Sequence, residues 1–131
     1  MKSYTDLEQS KKLAEILPLE SADMTLPFRH TKDDKYLPGY VGTRSYIDVY
    51  NDMIVLPGMD KEEVCKLIQP CWSLAALLSV LPEEISLNSF KDGNWNALVQ
   101  QHDGRMIYED KDNPVDACYE LILKLHELKM L

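Results

Sequence analysis

One stretch of the chain, Gln69-Pro70-Cys71-Trp72-Ser73-Leu74-Ala75-Ala76, has residue types and spacing that could support nucleophilic chemistry. A cysteine at the opening of an apolar helix sits near unpaired N–H groups and the positive end of the helix dipole. Both lower a thiol's pKa and favour the reactive thiolate. A base would have to come from His102 or His126; either could meet Cys71 in space, and nothing in the sequence requires it. A thiol-dependent enzyme using Cys71 is therefore one expectation. It is set against the commoner state of cysteine as a small buried hydrophobe.

The same string is similar to the helix opening of papain-like thiol proteases, but it departs from that pattern. Gln69 lies too close to Cys71 to serve as the family's oxyanion glutamine, and the stretch after Cys71 is too short for a second lobe carrying His and Asn. No catalytic residue is assigned. Metal chemistry is not indicated, because Cys65, Cys71, Cys118 and His126 lack the paired spacing of zinc sites. Asp110-Lys111-Asp112 beside Glu109 lacks the internal glycine and terminal glutamate of a calcium loop. Gly39, Gly42, Gly58, Gly93 and Gly104 are isolated and form no phosphate-cradling loop, and no Gly-x-Ser-x-Gly elbow is present. No metal and no cofactor are expected.

A less ordinary grouping is Tyr36, Tyr40, Arg44, Tyr46 and Tyr50, close in sequence to Phe28, Arg29 and His30. Aromatic residues with arginine are enriched at interaction hot spots, and binding residues concentrate on loops. These five are the candidate binding residues. The alternative is a small satellite core with wet hydroxyls.

Thr5 and Glu8 have capping-box spacing ahead of Leu7, Leu13, Ala14, Ile16 and Leu17, which predicts a helix over about 6–17. Pro18, Pro27, Pro38, Gly39 and Gly42 then predict an irregular loop over about 18–45. The runs Tyr46–Tyr50 and Met53–Leu56 flank Asn51-Asp52 and suggest a hairpin. Asp60 and Glu63 repeat the capping spacing before a short helix that Pro70 should close. Trp72 to Leu81, apolar nearly all round, reads as a buried helix at the centre of the core. Three strand-like runs over about 85–109, joined through Asp92-Gly93 and His102-Asp103-Gly104, predict an antiparallel meander. Asn113, Pro114 and Asp116 then open a helix over about 114–129, with Val115, Cys118, Leu121, Ile122, Leu125 and Leu128 on one face. The expected fold class is α+β: helices packed on a small three-stranded antiparallel meander, with a closing C-terminal helix, in one domain over 1–131.

A chain of 131 residues is the usual size of one domain. No apolar run approaches a membrane span, the N-terminal segment lacks a secretory h-region, and an odd three cysteines make no disulfide framework. A cytoplasmic protein without membrane attachment is expected. The net charge of −8 repels a phosphate backbone, so direct nucleic-acid binding is disfavoured. Its acidic residues, among them Asp33-Asp34, Glu62-Glu63 and Glu83-Glu84, are scattered and read as a solvated surface.

Four strings carry a resemblance: Glu8 to Leu13, Ser21 to Met24, Pro70 to Leu78 with Leu81-Pro82, and Asp112 to Glu127. Together they resemble a family of small uncharacterised phage and prophage proteins with a helix, a loop, a Trp-containing helix, a meander and a closing helix. The resemblance covers most of the chain but not Phe28 to Met59. It implies no catalytic residue. It implies a small accessory protein in a bacterial cytoplasm whose partner is a host or phage protein. Apart from the resemblance, the open edges of a three-stranded sheet and the tyrosine region make a homodimer a further expectation. An acidic inhibitor that mimics nucleic acid is the remaining alternative.

Overall fold

The computed structural model describes residues 1–82 and 84–131, so Glu83 of the acidic pair lies outside the described residues. The α+β class is as the sequence predicts, with five α-helices and two three-stranded antiparallel sheets among the described residues. Contacts divide the chain into two compact units: Asp6–Trp72, and Met1–Thr5 with Ser73–Leu131.

The Asp6–Trp72 unit opens with α1 (Leu7–Ile16). Its capping box lies one residue later than the expected one. Asp6 accepts from Gln9 N at 2.8 Å, and Gln9 Oε1 accepts from Asp6 N at 3.1 Å. After a 3-10 turn (Leu19–Ser21), the expected loop instead holds β1 (Met24–His30) and β2 (Tyr36–Pro38). β1 is the central strand. Its first half pairs with β3 (Ile68–Cys71) and its second half with β2.

Proline explains why these strands are hard to read, since it cannot donate to a ladder and is confined to edges and partner changes. Pro38 and Pro70 lie on the edge strands β2 and β3, and Pro27 stands where β1 changes partner. The hairpin is therefore β1–β2. It turns through Thr31–Lys35 with Asp34 at φ 58°, and Thr31 N donates to Lys35 O at 2.8 Å.

The expected hairpin over 46–56 is instead a helix, α2 (Tyr46–Ile54), capped by Ser45. Tyr46, Val49, Tyr50 and Met53 recur at helical spacing, and this period overrides the turn preference of Asn51-Asp52. α3 (Lys61–Leu67) starts at Asp60 as expected. It stops before Gln69 because Ile68 already pairs with Pro27 in the sheet. Leu13, Leu17, Leu26, Val64, Ile68 and Trp72 are among this unit's buried residues, and Trp72 Nε1 donates to Ser21 Oγ at 2.9 Å.

In the second unit the expected Trp72–Leu81 helix shortens to α4 (Leu74–Val80), capped by Ser73. Trp72 precedes the helix instead of belonging to it. The meander is as predicted: β4 (Ile85–Ser89), β5 (Trp95–Gln100) and β6 (Met106–Lys111) in that order. Both its turns place glycine where φ is positive, Gly93 at 91° and Gly104 at 88°, a conformation that suits glycine in three-residue hairpin loops.

α5 (Pro114–Glu127) follows directly. Asn113 Oδ1 accepts from Asp116 N at 2.8 Å, and Pro114 fills the first helical position. At the other end Lys129 adopts φ 58°, Lys129 N donates to His126 O and Met130 N donates to Leu125 O at 2.9 Å, the two bonds of a Schellman ending. Val115, Cys118, Leu121, Ile122 and Leu125 are fully buried. Leu128, expected on the same face, is 53% exposed because the helix has already ended.

α5 lies across β5 and β6 and against α4. Leu121→Ala should cost about 2–5 kcal/mol by opening a cavity under the sheet, and Asn113→Ala about 0.5–2 kcal/mol by removing a cap. Urea unfolding followed by far-UV circular dichroism checks both, and a Leu121→Ala loss no larger than that of Asn113→Ala would contradict this packing.

Candidate functional site

The five candidate binding residues lie in the Asp6–Trp72 unit but do not form one surface. Tyr36, on β2, is half-buried and stacks on His30 with ring centroids 4.7 Å apart and planes at 16°. His30 Nε2 in turn meets Asp34 Oδ1 at 2.7 Å across the hairpin turn. Tyr40, in the loop after β2, is 97% exposed. Arg44 is engaged with Asp52 at 2.7 Å, an exposed pair of small energetic weight. Tyr46 and Tyr50 meet on α2 at 6.1 Å.

Tyr46 is only 3% exposed and belongs to the core. Burial pushes its phenol up to about 12, reinforced by Cys65, with which it shares a hydrogen bond, and by Tyr50. Accessible aromatic surface among these tyrosines is thus left to Tyr40 and, in part, to Tyr36 and Tyr50.

None of the three thiols stands at a helix start. Cys71 ends strand β3 instead of starting a helix, and it is fully buried. Cys118 is fully buried on α5, where desolvation pushes its thiol up to about 11. Cys65 alone is exposed. His102 and His126 are both exposed, in the β5–β6 turn and at the end of α5. Among the described residues no three His, Cys, Asp or Glu side chains are placed to hold a metal ion.

The meander presents a different kind of site. Strand alternation separates two faces. Ile85, Leu87, Trp95, Ala97, Val99 and Ile107 occupy the inner one with α5, and Ala97 and Val99 are buried. On the outer face Leu98 lies between Ser86 and Tyr108, Met106 lies beside Gln100, and Asn96 lies between Asn88 and Asp110. Phe90, at the start of the β4–β5 turn, borders the same face. Phe90, Met106 and Tyr108 are each more than half exposed. They line a shallow groove of about 460 Å³ whose rim carries Asp92 and Asp110.

A larger depression of about 760 Å³ lies at the opposite end of the strands, against the β5–β6 turn. Within it Arg105 Nε holds Asp103 Oδ2 at 2.6 Å, and the Arg105 backbone N–H with the guanidinium keeps that carboxyl below its usual range. Glu84 and His102 line it as well.

The outer-face residues were not singled out by sequence motifs, although the signal was present. A sheet covered on one side should read polar at alternate positions, yet Leu98, Met106 and Tyr108 fall at outward positions.

No family model, no curated protein and no solved structure matches the chain.

The buried phenol gives a pH dependence. The fold favours neutral Tyr46, whose pKa rises from 10.0 to about 12, so this contribution to stability is complete below pH 10 and is lost as pH climbs towards 12. The denaturation midpoint of Tyr46→Phe should therefore fall less than wild type's across that interval. Parallel decline of the two proteins would remove Tyr46 as the source.

Proposed function

We propose that this protein is a non-enzymatic interaction module that docks another protein on the outer face of its meander. The supporting observation is the exposure of Phe90, Met106 and Tyr108 together around Leu98 on a sheet face that α5 does not cover. Contiguous apolar patches on a folded chain mark interaction sites more often than isolated exposed side chains do, and aromatic and methionine side chains are favoured at interface cores.

The accessory role, the bacterial cytoplasm and a host or phage protein as partner belong to this proposal. They rest on the motifs around Cys71 and Asn113 and on their likeness to phage and prophage proteins. Among the described residues no helix is long and apolar enough to cross a membrane. The thiol-enzyme alternative loses support from the complete burial of Cys71, because a nucleophile needs access as well as activation.

Affinity capture from bacterial lysates, with and without prophage induction, tests the reading when paired with variants. Met106→Ser with Tyr108→Ser should leave the far-UV spectrum unchanged and reduce recovery of a stoichiometric partner by tenfold or more. A partner retained by that variant but lost on Tyr36→Ser with Tyr40→Ser would move the binding surface to the β1–β2 hairpin.

A further inference from the structure

We propose that the occupant of the outer-face groove is a basic polypeptide segment that combines arginine with apolar side chains. This rests on the reading of that face as a docking surface, and adds its chemistry.

The groove combines an apolar floor with uncompensated negative charge. Phe90, Leu98, Met106 and Tyr108 supply the apolar part, and no Lys, Arg or His side chain is among its lining residues. Its two carboxylates are held by neutral donors. Asp92 accepts from Asn94 N at 2.9 Å and from Asn94 Nδ2 at 3.1 Å. Asp110 Oδ1 accepts from Asn96 Nδ2 at 2.8 Å, while Asp110 Oδ2 has no partner among the described residues. Asn96 is itself 9% exposed, so it holds Asp110 from a fixed position.

Three other carboxylates of this unit carry a cation instead. Asp116 is paired with Lys2 at 2.7 Å, Asp103 with Arg105 at 2.6 Å, and Glu109 with Lys124 at 3.3 Å. Lys124 reaches the Tyr108 ring, with Nζ 5.9 Å from its centroid, and is itself paired with Glu109. The charge of Asp92 and Asp110 is therefore available to a ligand.

These features select the occupant. Covering the groove with a segment that brings no cation would desolvate two carboxylates without supplying opposite charge, which is unfavourable. A second copy of the chain would bring a further net charge of −8, and a nucleic-acid backbone is repelled in the same way. An arginine satisfies both parts of the groove. Its planar guanidinium stacks on aromatic faces such as Tyr108 and pairs in bidentate fashion with a carboxylate. Met106 adapts its shape to neighbouring apolar side chains.

The test uses fluorescein-labelled, end-capped peptides of alternating arginine and leucine, and of alternating glutamine and leucine, titrated with the full chain by anisotropy. The arginine peptide should bind at least tenfold more tightly than the glutamine peptide and weaken with added salt. Asp92→Asn with Asp110→Asn should weaken it by about tenfold. Glu8→Gln with Glu62→Gln, an equal charge change at exposed sites outside the groove, should alter it less than twofold. Equal losses from the two pairs would show attraction to overall charge and overturn the proposal. So would equal binding of the two peptides, or no binding of either. If binding of the peptides is equal and is lost in the Met106→Ser and Tyr108→Ser variant, the docking face stands and its preference for basic segments falls.

Discussion

One helix can cover only one face of a sheet, and the second unit is organised by that constraint. α5 buries Val115, Cys118, Leu121, Ile122 and Leu125 and lies across the inner side of β5 and β6. Its span is set at both ends, by Asn113 and Pro114 at the start and by the Schellman bonds of Lys129 and Met130 at the finish. The inner face is closed in this way, and no described element of the unit is left to close the outer one. Tyr108 and Met106 are exposed as a consequence of strand alternation, because Ile107 between them takes the inward position.

The groove's polarity follows from the same register. Asn96 and Asp110 are directly opposed on β5 and β6, so the amide and carboxylate meet on the outer face at 2.8 Å. Pairing thus sets Asp110 at the end of the apolar row of Leu98, Tyr108 and Met106, and the β4–β5 turn adds Phe90 and Asp92 beside it. Rigid strands hold such an arrangement more accurately than an irregular segment would. The tyrosine region lacks that coherence: its residues are divided among β2, the following loop and α2, with Tyr46 in the core and Arg44 tied to Asp52.

Legibility in the sequence followed how local each signal was. Asp60, Asn113 and Pro114 announced two helix starts correctly, because caps act within a single turn. Glycine at positive φ likewise marked both meander turns. Failures came where distant pairing overrode local preference. Pro27, Pro38 and Pro70 argued against strands, yet β1, β2 and β3 accommodate them at edges and at a change of partner. Asn51-Asp52 argued for a turn, yet Tyr46, Val49 and Met53 formed a helical stripe around it. The groove was hidden for a further reason. Leu98, Met106 and Tyr108 come together only once the β5–β6 register is known, and a one-residue slip would have sent them inward.

Hydroxyl-radical footprinting read by mass spectrometry, on the free protein and on its complex with a captured partner, tests the open outer face most directly. Phe90, Met106 and Tyr108 should be oxidised readily in the free protein while Leu121, Ile122 and Leu125 are spared, and the first three should become selectively shielded in the complex. Shielding of Met106 and Tyr108 in the free protein to the level of Leu121, or unchanged oxidation of them in the complex, would contradict the account.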